Sequence, residues 1–369
     1  MSKQIFILKP KKIGLVGFRL SGGGCGRVMA NLSKYFHSEG IEVHLIIFHD
    51  EVSYDYSGTL FNLGLYKSRS NTILNKIKRF KKLKSYIKEQ QFDFIIDFRF
   101  RKRISQEFLI SRLIYNTRTI YTVHSSQLEH YLFNSRFWTY LIYGKSFRVL
   151  SITSGMQKLI ENKFPKLRNI SMIYNPVVTD EISQLAKEDV DIEEQYILGA
   201  GQMNTDQKQF DKLIEAYSKS KLIDKNIKLV ILGEGKHKLS LQNLTKKLGV
   251  EDFIYLPGFV DNPFKFMNKA KVFVLSSWHE GHPMVLIESL SSGTPVVAFD
   301  CPTGPSEVVV DKHNGLLVEN QNLTALVEAM NEMIEDVSLL EHCTKNAQKS
   351  VEHFNLEEIG NHWMELLDV

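Results

Sequence analysis

Apolar residues in this chain arrive in short, nearly unbroken blocks, each followed by a small or polar turn and then by a stretch with helical spacing. The blocks Ile13–Phe18, Glu42–Phe48, Phe94–Phe98, Thr119–His124 and Arg148–Ser151 predict five buried strands in the first half. After a break at Asn175-Pro176-Val177-Val178, an acidic polar connector runs to Glu194 and the alternation restarts. Tyr196–Ala200, Lys228–Leu232, Phe253–Leu256, Val272–Leu275 and Pro295–Phe299 predict five more strands. Continuous apolar runs suit strands covered on both faces, and strands alternating with helices call for a parallel sheet. The expected fold is α/β, with two doubly wound parallel-sheet domains and a crevice between them. The boundaries expected are 1–174 and 175–353. A tail, 354–369, repeats Ile359, Trp363 and Leu366-Leu367 at helical spacing and is expected to cross back to the first domain.

One segment says more about chemistry than the rest. Val272–Leu275 predicts a strand and Met284–Ser291 a helix, with Pro283 suited to its first turn. Glu280 then lies on the loop leaving the strand's carboxyl end, and Glu288 about one turn into the helix. Backbone N–H groups between them suit phosphate or hydroxyl oxygens, and the carboxylates suit sugar hydroxyls.

Composition narrows the class. The chain has 369 residues, 43% hydrophobic and 24% charged, which fits a globular protein of two domains. Cys25, Cys301 and Cys343 are far apart, so neither a disulfide framework nor a zinc cluster is expected, and a reducing, cytoplasmic setting fits. No apolar run approaches the ~20 residues that span a bilayer, and Met1–Pro10 has too short an apolar core for a signal peptide. His279 and His282 lie close together without a further cysteine or histidine pair nearby, so no zinc site is expected there. The net charge of +4 hides a polarity: residues 1–175 hold 29 Lys and Arg against 11 Asp and Glu, the rest 17 against 31.

Taken together, these residues resemble glycosyltransferase family 4, of the GT-B architecture with two Rossmann-like domains. Glu280 and Glu288 match the family's two glutamates, and Phe299–Glu307 resembles a version common in enzymes building bacterial surface polysaccharides. Asn314-Gly315-Leu316-Leu317-Val318 matches the family's closing turn, while Gly22-Gly23-Gly24 and His124 lie where the first domain offers a glycine loop and a histidine. The resemblance implies a retaining, metal-independent enzyme that takes a hexose from a nucleotide sugar, with UDP the expected nucleotide. The first domain would bind a glycan or glycolipid acceptor and the second the donor. It further implies that Glu288 holds the ribose, that Glu280 and His124 address the donor sugar, and that Lys208 opposes the diphosphate. The backbone of Gly281, His282, Pro283, Met284 and Val285 would contact sugar and phosphate, Gly23 and Gly24 would admit the diphosphate, Gly233 would line the donor site, and Phe259 would neighbour the base. The family's usual arginine is Gln202 here, which removes one charge-assisted bond to the leaving phosphate. Gln209 replaces a usual glycine, a change expected to be minor.

Other readings stay open. A nucleotide-using Rossmann enzyme such as an NAD-dependent one is an alternative, although Arg27 stands where a dinucleotide fingerprint begun at Gly22 needs glycine. A nucleotide-sugar-binding protein without catalysis is another, for which Gln202 is the hint. Nucleic-acid binding would rest on charge alone. The basic run Lys76–Lys84 continues a helix whose Ile73, Ile77, Phe80, Leu83 and Ile87 form one apolar stripe. Either it is an ordinary surface helix packed on its sheet, or Lys78, Arg79, Lys81 and Lys82 meet an anionic membrane, with Arg101 and Arg103 adding charge for membrane or acceptor.

Overall fold

A computed structural model describes residues 11–68 and 72–367. The expectation about Met1–Pro10 lies outside these residues, as does any side-chain statement about Ile73. Among the described residues, thirteen strands form two all-parallel sheets. The first holds β1 (Lys12–Gly17), β2 (Glu42–Ile47), β3 (Thr59–Asn62), β4 (Phe94–Asp97), β5 (Arg118–Val123), β6 (Arg148–Ser151) and β7 (Ile170–Met172), in the order 3-2-1-4-5-6-7. The second holds β8 (Tyr196–Ala200), β9 (Lys228–Leu232), β10 (Ile254–Gly258), β11 (Phe273–Leu275), β12 (Val296–Phe299) and β13 (Gly315–Val318), in the order 10-9-8-11-12-13.

Both orders reverse beside the first strand of their sheet, the arrangement that leaves a ligand crevice at the carboxyl ends. Central strands are buried almost throughout, because helices cover both faces: β1 pairs Ile13 with Val43 and with Phe94, and β8 pairs Ile197 with Leu229. One core gathers residues such as Val16, Ile95, Tyr121 and Ile160, the other Ile197, Leu213, Ile231 and Val297.

The chain divides into two units. One contains residues up to 152, 156–176 and those from 356 on; the other contains 153–155 and 177–355. The helix Leu356–Leu367 lies against the helix Gly24–Ser38 of the first unit. Trp363 and Phe36 meet edge to face at 6.2 Å, and Tyr35 Oη donates to Asn361 at 2.8 Å. The acidic connector contains a short helix, Asp180–Leu185, which buries Ile182.

Candidate functional site

In the second unit the chemistry collects at the carboxyl ends of β8, β9 and β11. Gly201 directly follows β8, and a Cβ there would stand 3.0 Å from the aliphatic stem of Lys208, so that stem lies along bare backbone. A Cβ on Gly233 (φ 135°) would stand 1.9 Å from the Gly201 carbonyl oxygen, so the turns after β8 and β9 pack as backbone on backbone. Lys208 closes the single 3-10 turn Asp206–Lys208. Gln209 then takes a left-handed conformation (φ 44°) before the helix Phe210–Ser218.

Lys208 Nζ meets Glu280 Oε1 at 2.7 Å, with the two side chains 16% and 8% exposed. The loop carrying Glu280 is tied to the turn carrying Lys208. Ser276 Oγ reaches the carbonyls of Lys208 and Gln209 at 2.9 and 3.0 Å, and Trp278 N donates to Gln207 O at 2.8 Å. From the other side Thr303, itself left-handed (φ 62°), donates through Oγ1 to Glu280 O at 2.8 Å. A side chain on Gly304 (φ 98°) would stand 2.6 Å from Pro283 and 2.8 Å from the Gly281 carbonyl. The loop is therefore held on three sides. Cys301, buried beside the pair, has its thiol pushed up to about 12, first by burial and then by the charge of Glu280.

Glu288 occupies the fifth position of the helix Met284–Ser291 and is buried. Gly281, His282, Pro283 and Met284 are also buried, and Val285 half-buried. Phe259, beyond β10, is 71% exposed, and Gln202 stands exposed after Gly201. Gln209 occupies a position whose left-handed backbone favours glycine. Ser276, Gln207 and Thr303 were not singled out from sequence. Thr303 lies within Phe299–Glu307 and Ser276 in the loop carrying Glu280, the two stretches that marked this region in sequence.

In the first unit the glycine loop joins β1 to the helix Gly24–Ser38, with Gly22 at φ 47° and Gly23 at φ 141°. Tyr54 Oη accepts from Gly23 N at 3.1 Å. His124 directly follows β5, its Nε2 2.8 Å from Thr122 Oγ1. That hydroxyl gives its one proton to the Asp97 carbonyl at 3.0 Å, so the imidazole must donate through Nε2 and keep Nδ1 as its acceptor. Burial, helped by the charge of Arg101, pushes the imidazole down to about 3, so it is neutral at physiological pH.

Two basic residues expected at a membrane or acceptor turn inward. Arg101 is fully buried and donates to the carbonyls of Tyr131, Asp97, Arg99 and Thr122 at 2.7–3.1 Å. Arg79 donates to Phe48 O at 2.7 Å and Leu63 O at 3.2 Å. Free carbonyls at strand and turn ends need donors, and guanidinium supplies them in a fixed fork. Arg99 is likewise buried, against Asp97 at 2.6 Å and Glu107 at 3.0 Å. Lys78, Lys81 and Arg103 are exposed and Lys82 half-buried. Ile77, expected on the packed stripe, is 47% exposed, because the helix Ile73–Gln90 seats Leu83 and Ile87 in the core instead. Among the described residues, no group of three or more His, Cys, Asp or Glu is placed to hold a metal ion.

The second unit thus carries a lysine–glutamate pair at the carboxyl edge of its parallel sheet and a buried Glu288, on a two-unit GT-B fold. Residues 22–181 match Glycosyltransferase Family 4 and residues 180–350 match Glycosyl transferases group 1. The chain is 32% identical, over 95% of its length and 97% of the relative's, to the N-acetylgalactosamine-N,N'-diacetylbacillosaminyl-diphospho-undecaprenol 4-alpha-N-acetylgalactosaminyltransferase of Campylobacter jejuni. It is 29% identical, over 96% of its length and 98% of the relative's, to that organism's GalNAc-alpha-(1->4)-GalNAc-alpha-(1->3)-diNAcBac-PP-undecaprenol alpha-1,4-N-acetyl-D-galactosaminyltransferase. In fold it is similar to HepE of Anabaena, solved in complex with UDP, with a TM-score of 0.75 at 18% identity over 97% of this chain and 99% of that one. The chain belongs to glycosyltransferase family 4.

Proposed function

We propose that the chain is a retaining, metal-independent glycosyltransferase that moves a hexose-class sugar from a UDP-linked donor to a lipid-linked or surface-glycan acceptor in bacterial polysaccharide or lipopolysaccharide assembly. It would work in the cytoplasm, peripheral to the inner face of the plasma membrane, without nucleic acid. The observation that carries this reading is the Lys208–Glu280 pair at 2.7 Å, held at the carboxyl edge of a parallel sheet. UDP as the nucleotide is supported by the HepE complex, and a lipid-linked acceptor by the names of the two Campylobacter jejuni proteins. Those names make N-acetylgalactosamine the first donor sugar to try.

Lys208 rests against Glu280 until a donor arrives. The diphosphate competes for the ammonium and frees Glu280 to accept from hydroxyls of the donor sugar. As the anomeric carbon–oxygen bond to the diphosphate breaks, negative charge grows on the departing phosphate. Lys208, only 16% exposed, then opposes that charge with little competing water. The acceptor oxygen bonds to the anomeric carbon on the same face, and its proton leaves with the diphosphate. Glu288 holds the ribose, the Gly281–Val285 backbone meets sugar and phosphate, and Phe259 borders the base. Gly233 keeps the nearby turns close. In the other unit Gly23 and Gly24 admit the diphosphate, and neutral His124 offers its ring to the donor sugar. Gln202, in the arginine's place, leaves one fewer cation on the leaving group.

UDP, and not NAD, is expected to raise the melting temperature of the protein, and a panel of UDP-sugars should identify one that is transferred or hydrolysed. Lys208→Ala should cut transfer by ~10²-fold or more while leaving the fold intact. Near-normal transfer by that variant would remove Lys208 from the mechanism. A UDP shift with no turnover of any donor would instead support a nucleotide-sugar-binding protein, the reading that Gln202 favours.

A further inference from the structure

The helix Ile73–Gln90 handles its apolar residues differently at its two ends. Leu83 and Ile87 sit in the core at 1% exposure, whereas Leu74 is 78% and Ile77 47% exposed. Beside the first turns, the 3-10 turn Leu63–Tyr66 buries Leu63 and turns Leu65 and Tyr66 to solvent. Lys82 Nζ lies 4.2 Å from the centre of the Tyr66 ring, so the turn and the helix present one surface. A shallow groove of about 520 Å³ follows it, lined by Leu74, Ile77, Lys78, Lys81, Lys82 and Ser85.

Lone exposed apolar residues are ordinary, but four together among lysines are not. Between Ile73 and Lys88 the helix carries seven Lys and Arg and no acid; its one acid, Glu89, comes in the last turn. A nucleic acid would engage the lysines and leave Leu74 and Ile77 in water. An interfacial helix uses both: aliphatic side chains enter the acyl boundary while lysines meet lipid phosphates. The unit has another exposed apolar patch at Leu109, Leu113 and Phe137, but its neighbours Arg112 and Arg136 donate to the carbonyls of Leu141 and Lys163. Charge complementarity with an anionic surface therefore favours the lysine-bearing face.

We propose that the turn Leu63–Tyr66 and the first three turns of the helix Ile73–Gln90 dock on the surface of an anionic lipid bilayer. Leu65, Tyr66, Leu74 and Ile77 enter the interface, and Lys78, Lys81 and Lys82 pair with lipid phosphates. This rests on the reading of the chain as a transferase with a lipid-linked or surface-glycan acceptor, and it assigns the contact to particular side chains.

The test is co-sedimentation of the full chain with vesicles of phosphatidylglycerol in phosphatidylcholine, and with phosphatidylcholine alone. Binding should favour the anionic vesicles and fall with salt. Leu74→Ser combined with Ile77→Ser, which leaves charge unchanged, should weaken binding by about 10-fold or more. Phe137→Ser should leave binding as it was. UDP-induced thermal stabilisation should be the same in all three proteins, which shows that the variants are folded. Equal sedimentation with both vesicle types, a double variant that binds like the parent, or a loss produced by Phe137→Ser would each overturn the proposal. Failure of the transferase reading would show separately, as an absent UDP shift in the parent protein.

Discussion

Arg99 and Arg101 flank the half-exposed Phe100 in the loop leaving β4, yet both arginines are sealed from water. Burial works against the Arg99 charge, but Asp97 and Glu107 outweigh it and hold its pKa well above the ordinary value. The positive field of Arg101 then falls on His124, adding to the burial that keeps the imidazole neutral. The linkage has a definite sign. Above the ordinary histidine value of 6.5, folded and unfolded chains both carry a neutral ring; below it the unfolded chain takes up a proton that the folded chain refuses until about pH 3. Stability is therefore lost across that window as pH falls, at up to about 1.4 kcal/mol per pH unit. Between pH ~7.5 and pH ~5, urea unfolding of the parent should lose up to about 2 kcal/mol more than that of His124→Gln. An identical pH response in the two proteins would place the imidazole in water. None of this was legible from the residues alone. Composition gives the sign of a charge, and only the partner determines whether it faces solvent, so Arg79 and Arg101 read the same as Lys78 and Lys81.

At the scale of elements, nine of the ten strands that the apolar blocks predicted are interior to their sheets, because a strand covered on both faces has no polar side to show; the tenth, β10, lies at the edge of the second sheet. Three strands were not predicted: β3 (Thr59–Asn62) and β7 (Ile170–Met172), part-buried at the edges of the first sheet, and β13, at an edge of the second. The segment read as a closing turn at Asn314–Val318 is instead the edge strand β13 (Gly315–Val318) of the second sheet. The helix Met284–Ser291 carries Glu288 and the loop before it carries Glu280, as the spacing predicted, since a strand–loop–helix unit fixes position locally. The turn carrying Lys208 was less legible, because its conformation is set by contacts from distant loops. Gln209 shows the conflict: its left-handed backbone costs roughly 1 kcal/mol relative to glycine, while its side chain exchanges hydrogen bonds with Gln321 at 2.8 and 3.0 Å. Half-buried bonds of this kind contribute about 0.5–1.5 kcal/mol, so the two effects nearly cancel. Gln209→Gly should then lie within about 1 kcal/mol of the parent in urea unfolding. Gln209→Ala, which keeps the strain and loses the bonds, should fall below both by roughly 1 kcal/mol. An alanine variant as stable as the glycine one would show that the backbone there is not strained.

For the whole molecule, the division of charge changes once the chain's return is followed. Residues 1–175 carry +18, and the stretch 356–369 that joins their unit brings Glu357, Glu358, Glu365 and Asp368 with no Lys or Arg, lowering the unit's charge to +14. The described part of that stretch, Leu356–Leu367, is an integral part of the first unit's core. Ile359 and Trp363 are 1% and 3% exposed, and Gly360 lets the Tyr35 ring approach to where a Cβ would stand only 2.4 Å away. Removing the indole should leave a cavity against Phe36 and cost about 3–5 kcal/mol. Trp363→Ala should therefore speed hydrogen exchange in the helix Gly24–Ser38, far from Trp363 in sequence, and leave exchange in Met284–Ser291 as in the parent. UDP should still protect the second unit in this variant if the proposed donor residues, Lys208, Glu280 and Glu288, hold it, because all three belong there. If exchange instead quickens in both units together, they unfold as one cooperative body, and the last helix supports the donor half as much as the half it packs against.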